Sequence, residues 1–257
     1  MRNLIIRTLS GTVLVLLTLS MLYKGGFYTS FYIFILSLIG IREFYAAVNN
    51  NGFNPIKEIG YISCIGFLFN SLNIKWITLK SISLLIIIPT IFSLYRKKAN
   101  VKDVMITILG IIYIPFLFQY IIHLRGSSYL WFVFIIAWGT DTFAYLIGLL
   151  FGKTKLCPKI SPKKTVEGAL GGILGSIFLT IIFVNYFDLS SMGKFILLSV
   201  IGSVLAQIGD LTASKIKRKT GIKDFGFIMP GHGGVLDRFD SILFIAPYVY
   251  YIVNYFI

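Results

Sequence analysis

The chain has 257 residues, of which 56% are hydrophobic and only 13% are charged. Its mean hydropathy is +0.84, whereas soluble domains carry roughly a quarter of charged residues. This composition excludes an ordinary soluble enzyme and predicts an integral membrane protein. In a soluble protein the net charge of +14 would suggest a nucleic-acid partner. In a membrane protein the topology explains it, and we expect no nucleic acid as a partner.

Nine apolar segments follow one another along the chain. A helix of about 20 apolar residues crosses the hydrocarbon core, and backbone groups in lipid must bond internally, which favours helices over the alternating strands of a barrel. We therefore predict an all-α, polytopic membrane protein with about nine transmembrane helices. The predicted spans are Leu4–Leu22, Phe27–Ala47, Ile59–Leu72, Ile77–Tyr95, Val104–His123, Leu130–Phe151, Ala169–Phe187, Lys194–Leu211 and Ile242–Ile257.

The distribution of basic residues predicts the orientation. With the N-terminus in the cytoplasm, most of the 24 lysines and arginines fall in cytoplasmic loops, as membrane proteins require. No small-residue cleavage site follows the first apolar segment, so we expect a retained anchor rather than a signal peptide. The polar motifs lie in the second half of the chain. We predict N-terminal membrane helices over residues 1–128 and a catalytic membrane region over residues 129–257.

One lysine-rich loop, FGKTKLCPKISPKKTVEGALGG, spans residues 151–172. Its lysines and flexible backbone suit a phosphate group, and we predict phosphate contacts from Lys155, Lys163 and Lys164. Thr165 and Glu167 are further candidates, although a helix cap and a first-turn acid explain them equally well. Small residues at four-residue spacing favour close helix packing. Those residues are Gly168, Gly171, Gly172 and Gly175.

A second polar stretch occupies residues 209–241. Asp210 ends an apolar segment, with Ser214 and then Lys217 and Arg218 about one and two turns further on. Helical spacing places Asp237, Asp240 and Ser241 on one face of the last helix. A single aspartate at a helix start is also typical of a simple cap.

An acidic residue also interrupts the sixth apolar segment. Asp141 lies among apolar neighbours, where a charge costs about 2.5–3.5 kcal/mol and usually marks function. A neutral, hydrogen-bonded Asp141 is the alternative. On the predicted topology Asp141, Asp210, Asp237 and Asp240 all face the cytoplasmic side. Oxygen ligands beside many cations favour Mg²⁺ shared with substrate phosphates. Zinc is disfavoured because His123 and His232 fall on opposite sides of the membrane.

The second stretch resembles the signature of the phosphatidate cytidylyltransferases. The matching residues read SKIKRKTGIKDFGFIMPGHGGVLDRFD, from Ser214 to Asp240; Met229 is a conservative departure. Residues 141–172 resemble a second block of the family, and REFY at 42–45 is similar to a short motif. The resemblance implies that CTP and phosphatidic acid react to CDP-diacylglycerol and pyrophosphate. It also implies Mg²⁺ on Asp210 and Asp237, allows K⁺ beside it, and implies a homodimer.

The resemblance and the charges together suggest roles for the site residues. A lipid phosphate is already anionic, so no general base is needed, and catalysis is electrostatic. We predict that Asp141 and Asp240 support the metal ligands. His232 either donates to pyrophosphate or braces its turn, and Arg238 binds either phosphate or an acid. The predicted substrate-binding residues are Lys155, Lys163, Lys164, Thr165, Glu167, Ser214, Lys217, Arg218, Lys223, Asp224, Gly233, Gly234 and Arg238.

Two other functions fit parts of the sequence. A CTP-dependent lipid kinase would also combine membrane helices, lysines and acidic ligands, but it would release CDP rather than pyrophosphate. A transporter would use the intramembrane acids as an ion pathway, yet the two halves of the chain show no repeat. The compact chain favours a bacterial inner membrane, with the active site on its cytoplasmic side.

Overall fold

The computed structural model describes residues 2–72, 78–95, 100–229, 231 and 233–256. The described residues form nine helices and one antiparallel pair of strands, β1 (Lys155–Cys157) and β2 (Ser161–Thr165). The helices are α1 (Arg2–Lys24), α2 (Gly26–Asn49), α3 (Lys57–Ser71), α4 (Leu79–Tyr95), α5 (Val101–His123), α6 (Leu130–Phe151), α7 (Val166–Tyr186), α8 (Met192–Lys219) and α9 (Leu236–Tyr255). A π-helical turn, Ile112–Phe116, interrupts α5 and contains Pro115.

The described helices confirm that this is a helical protein with membrane-spanning character. Each predicted apolar segment overlaps one helix, and the bounds of α6 are those predicted. Five described helices, α2, α5, α6, α7 and α8, are long and apolar enough to cross a bilayer. At 15 residues, α3 spans only about 22 Å, less than the roughly 30 Å of hydrocarbon. The count of nine spans and the cytoplasmic N-terminus stay predictions.

The largest departures from the predicted elements lie in the polar segments. We expected α8 to end near Leu211, but it continues to Lys219. The last predicted apolar span starts at Ile242, and its helix already begins at Leu236, in agreement with the helical spacing expected of Asp237, Asp240 and Ser241. Residues 155–165 pair as strands where we predicted a loop. Hydropathy locates the apolar part of a helix but not the end of its hydrogen bonding. Polar helical turns beyond the apolar part are therefore not predicted by hydropathy.

The chain divides into two compact units. The N-terminal unit comprises Met1–Gly126 and Lys219–Arg238, and the C-terminal unit comprises Ser127–Arg218 and Phe239–Ile257. The second division falls inside α9, whose first three residues belong to the N-terminal unit. The functional boundary predicted at residue 128 stays a prediction.

In the N-terminal unit, α2, α3 and α5 pack around Tyr45. A Cβ on Gly60 or Gly110 would lie only 2.5 Å from the Tyr45 ring, so the two glycines form its slot. The Tyr45 hydroxyl donates to the Thr107 carbonyl oxygen at 2.9 Å. Aromatic residues continue this core, with Phe44 against Tyr113.

In the C-terminal unit, the glycines of α7 bring it close to α6. A Cβ on Gly168 would lie 2.7 Å from the Ala144 carbonyl oxygen, and one on Gly172 would lie 2.9 Å from that of Thr140. A Cβ on Gly175 would overlap the Phe143 side chain. These contacts confirm the packing role predicted for the glycines.

Candidate active site

The strand pair carries the lysines of the first basic segment, and one of them reaches α8. The pairing places Lys155 opposite Thr165, and Lys164 forms an ion pair with Asp210. Both side chains of this pair are 27% exposed, so the pair is neither buried nor fully solvated. Arg218 extends from α8 to the carbonyl oxygen of Ile160, at 3.4 Å. These contacts bring the lysine-rich segment against α8 within the C-terminal unit.

Two further acidic residues lie near Asp240 in the same unit. Asp240 is only 7% exposed and interacts electrostatically with Asp210, Asp141 and Lys217. Ser214 lies one turn after Asp210 and donates to it across 3.4 Å. The helices approach closely here because Gly209 has no side chain: a Cβ would lie 2.6 Å from the Asp240 carbonyl oxygen. The structure thus brings together three of the four acids predicted to converge.

Thr165 and Glu167 organise the start of α7. The Thr165 hydroxyl accepts a hydrogen bond from Gly168 N at 3.1 Å, which is the geometry of an N-cap. The Glu167 carboxylate accepts from the backbone N–H groups of Lys153 and Thr154, each at 3.1 Å. These bonds tie the end of α6 to the start of α7. The capping alternative is thus observed for Thr165, while substrate contact stays a prediction for both residues.

The motif before α9 folds back on Asp237, which lies in the N-terminal unit. Asp237 Oδ2 accepts from Phe225 N at 2.8 Å and from Gly234 N at 2.9 Å. Gly233 has a φ of +86°, a conformation that favours glycine, and a Cβ there would lie 2.7 Å from the same oxygen. The Gly234 N–H therefore donates to Asp237, and substrate contact at Gly233 and Gly234 stays a prediction.

Sequence reasoning assigned no role to Glu43 on α2, although Glu43 lies in the REFY motif at 42–45. It is 5% exposed, and its two oxygens accept from Val235 N and Leu236 N, each at 3.0 Å. A Cβ on Gly226 or Gly234 would overlap its carboxylate. The signal was present, because Glu43 is an acid within an apolar segment, the feature that singled out Asp141.

The remaining predicted residues lie on exposed or partly exposed parts of the same segments. Lys155 and Lys163 are exposed on the strands, Lys223 is exposed before α9, Asp224 is partly exposed, and Arg238 is exposed in the first turn of α9. The ring of His232 and the residue Pro230 lie outside the described residues, so the two roles proposed for His232 stay predictions.

The donor chemistry of the carboxylates fits a hard divalent cation. Asp210 offers carboxylate oxygens of the kind that Mg²⁺ prefers, and in this structure they contact the Lys164 ammonium. Among the residues that the structure describes, no group of three or more His, Cys, Asp or Glu side chains is close enough to bind a metal by itself. Mg²⁺ does not need such a group, because it commonly uses one or two carboxylates together with water and substrate phosphates.

Comparison with known proteins agrees with the family resemblance of the sequence motifs. The sequence profile of the cytidylyltransferase family matches residues 5–256. The phosphatidate cytidylyltransferase of Staphylococcus epidermidis is 36% identical over 252 residues, covering 94% of this chain and 96% of that protein. The protein of the same name from Staphylococcus aureus strain COL is 37% identical over 253 residues, with the same coverage. The chain therefore belongs to the cytidylyltransferase family of nucleotide-transferring enzymes, as its sequence motifs predict.

Proposed function

We propose that the chain transfers the cytidylyl group of CTP to phosphatidic acid, giving CDP-diacylglycerol and pyrophosphate. The observation that carries this proposal is the similarity, over 94% of the chain, to proteins named phosphatidate cytidylyltransferase. The cluster of lysines and aspartates in the C-terminal unit supports it, because both substrates are polyanions.

The proposed reaction is a single displacement at phosphorus. An oxygen of the lipid phosphate forms a bond to the α-phosphorus of CTP. The bond from that phosphorus to the oxygen bridging to the β-phosphate breaks, and pyrophosphate leaves with the electron pair. The attacking phosphate is already ionised near neutral pH, so no side chain has to remove a proton.

The lysines supply most of what the chain contributes to this step. Lys164 on β2 and Lys217 on α8 lie beside the acidic cluster, where they can offset the negative charge of both substrates. Arg218 joins α8 to the turn between the strands and adds a third cation. Charges that are fixed before the substrates arrive lower the barrier without reorganisation.

We further propose Asp210 and Asp237 as ligands for Mg²⁺, with Asp141 and Asp240 in support and K⁺ as a second ion. Asp210 and Asp237 belong to different compact units, and their pairing rests on the sequence resemblance. Mg²⁺ would neutralise phosphate charge and polarise the phosphorus centre. Asp237 keeps one oxygen for backbone donors, which fixes the direction of the other.

The membrane setting completes the proposal. The positive-inside distribution supports nine spans with a cytoplasmic N-terminus, in a bacterial inner membrane with the active site on the cytoplasmic side. The family resemblance supports a homodimer.

Purified protein with CTP and phosphatidic acid tests the reaction directly. We expect CDP-lipid and pyrophosphate to form in equal amounts, and we expect a chelator to abolish both. Formation of a phosphorylated lipid together with CDP would instead identify a lipid kinase. Ion flux into vesicles without any CTP-dependent product would identify a transporter.

A further inference from the structure

The start of α9 is held by two carboxylates of the chain itself. A helix N-terminus exposes backbone N–H groups that lack helical partners and attracts anions. Here Gly234 N donates to Asp237, and Val235 N and Leu236 N donate to Glu43. These three successive amides therefore all donate to carboxylates of the chain.

Glu43 is distant in sequence from the start of α9. It lies on α2, more than 190 residues before the amides it binds. Charge-assisted hydrogen bonds of this kind are roughly twice as strong as neutral ones, and the Glu43 residue is only 5% exposed. Gly226 and Gly234 leave the space it fills. The Glu43 carboxylate thus fills the space left by the two glycines and hydrogen-bonds to both amides.

We propose that Glu43 is a positioning residue for the active site. By fixing Val235 and Leu236, it sets the backbone from which Asp237 projects, because Asp237 follows Leu236 directly. The expected kinetic effect of this inference rests on the proposed function. The backbone contact itself can be tested without any substrate.

Glu43→Gln is the primary variant, because it keeps the shape of the side chain but replaces one acceptor oxygen with an NH₂ donor. One backbone N–H then faces another donor and loses its bond. Gly226→Ala is the second variant, since its new methyl group occupies the carboxylate position while Glu43 itself is retained. The φ of Gly226 is not positive, so alanine adds no backbone strain there.

Asp103→Asn provides a matched control. Asp103 is 6% exposed, belongs to the same unit, and likewise accepts two backbone hydrogen bonds, from Asn54 N at 2.7 Å and Asn100 N at 3.1 Å. It has no bond to the start of α9. Any general cost of losing a buried carboxylate should therefore appear in both variants.

Hydrogen–deuterium exchange of the detergent-purified full chain tests the contact. We expect a peptide covering residues 233–236 to exchange at least about tenfold faster in Glu43→Gln and Gly226→Ala, because each lost bond is worth about a factor of ten. We expect the same peptide to be unchanged in Asp103→Asn. Unchanged exchange at residues 233–236 in both Glu43→Gln and Gly226→Ala would overturn the contact.

Steady-state kinetics tests the consequence. We expect kcat to fall by about ten- to a hundredfold in Glu43→Gln, because a displacement of about 1 Å costs that much, and the Mg²⁺ concentration for half-maximal rate to rise. Asp103→Asn should keep both quantities within about twofold of wild type. Equal losses of kcat in Glu43→Gln and Asp103→Asn would show that Glu43 has only a structural role. An inactive wild-type protein would refute the proposed function and leave the exchange result standing.

Discussion

Removing the charge of Lys164 tests whether the strand pair serves catalysis or only stability. In Lys164→Gln, Asp210 loses its ion-pair partner. Both side chains are 27% exposed, so the pair is intermediate between exposed and buried ion pairs. Exposed pairs contribute about 0.2–1 kcal/mol, whereas breaking a buried pair costs about 3–5 kcal/mol. We therefore expect the free energy of unfolding to fall by only about 1–2 kcal/mol, leaving a folded protein.

The effect of Lys164→Gln on turnover should be larger than its effect on stability. If the ammonium stabilises charge on the substrates, its loss should lower kcat/KM for CTP by about 10²–10³-fold, or about 2.7–4 kcal/mol. Lys159→Gln removes the same charge from the exposed turn of the same strand pair and should change kcat/KM by less than about threefold. The assay is CDP-lipid formation by detergent-purified protein, normalised to folded protein. Comparable rates for Lys164→Gln and wild type would refute the catalytic role of Lys164.

Three further substitutions probe the site and its support. Asp237→Asn keeps an oxygen for the backbone donors, so the protein should stay folded while CDP-lipid formation falls at least about a hundredfold; near-normal turnover would contradict the ligand assignment. Gly175→Ala overlaps Phe143 and should lower stability by about 1–3 kcal/mol in thermal unfolding, whereas Gly193→Ala, with open space around it, should not. Thr165→Ala should cost about 1 kcal/mol through the lost cap, and serine at that position should restore it.

The helices could be predicted because each is determined by residues that are adjacent in the sequence. A run of apolar residues must form a helix to cross lipid, so hydropathy located α6 to the residue. The glycines of α7 were equally informative, since small residues at four-residue spacing permit only close packing. Thr165 could be predicted as a cap from its place before a first-turn acid.

The features that the sequence does not predict depend on contacts between segments that are distant in sequence. The strand pair shows no alternation of apolar and polar residues, and Pro162 interrupts its second strand, so no local pattern predicts it. Glu43 acquires its role only when α2 meets the start of α9, and no spacing rule joins residues that far apart. Asp240 was predicted as a site residue, but its burial beside Asp141 and Asp210 follows from the close approach at Gly209.

The position of the phosphorus atom that reaches the lipid tests the central claim most directly. Purified protein in detergent would be supplied with phosphatidic acid, Mg²⁺ and CTP labelled at either the α- or the γ-phosphate. The proposed displacement predicts label in the lipid product only from α-labelled CTP, with the γ-label recovered in pyrophosphate. Transfer of the γ-label to lipid, or no lipid product from either substrate, would contradict it.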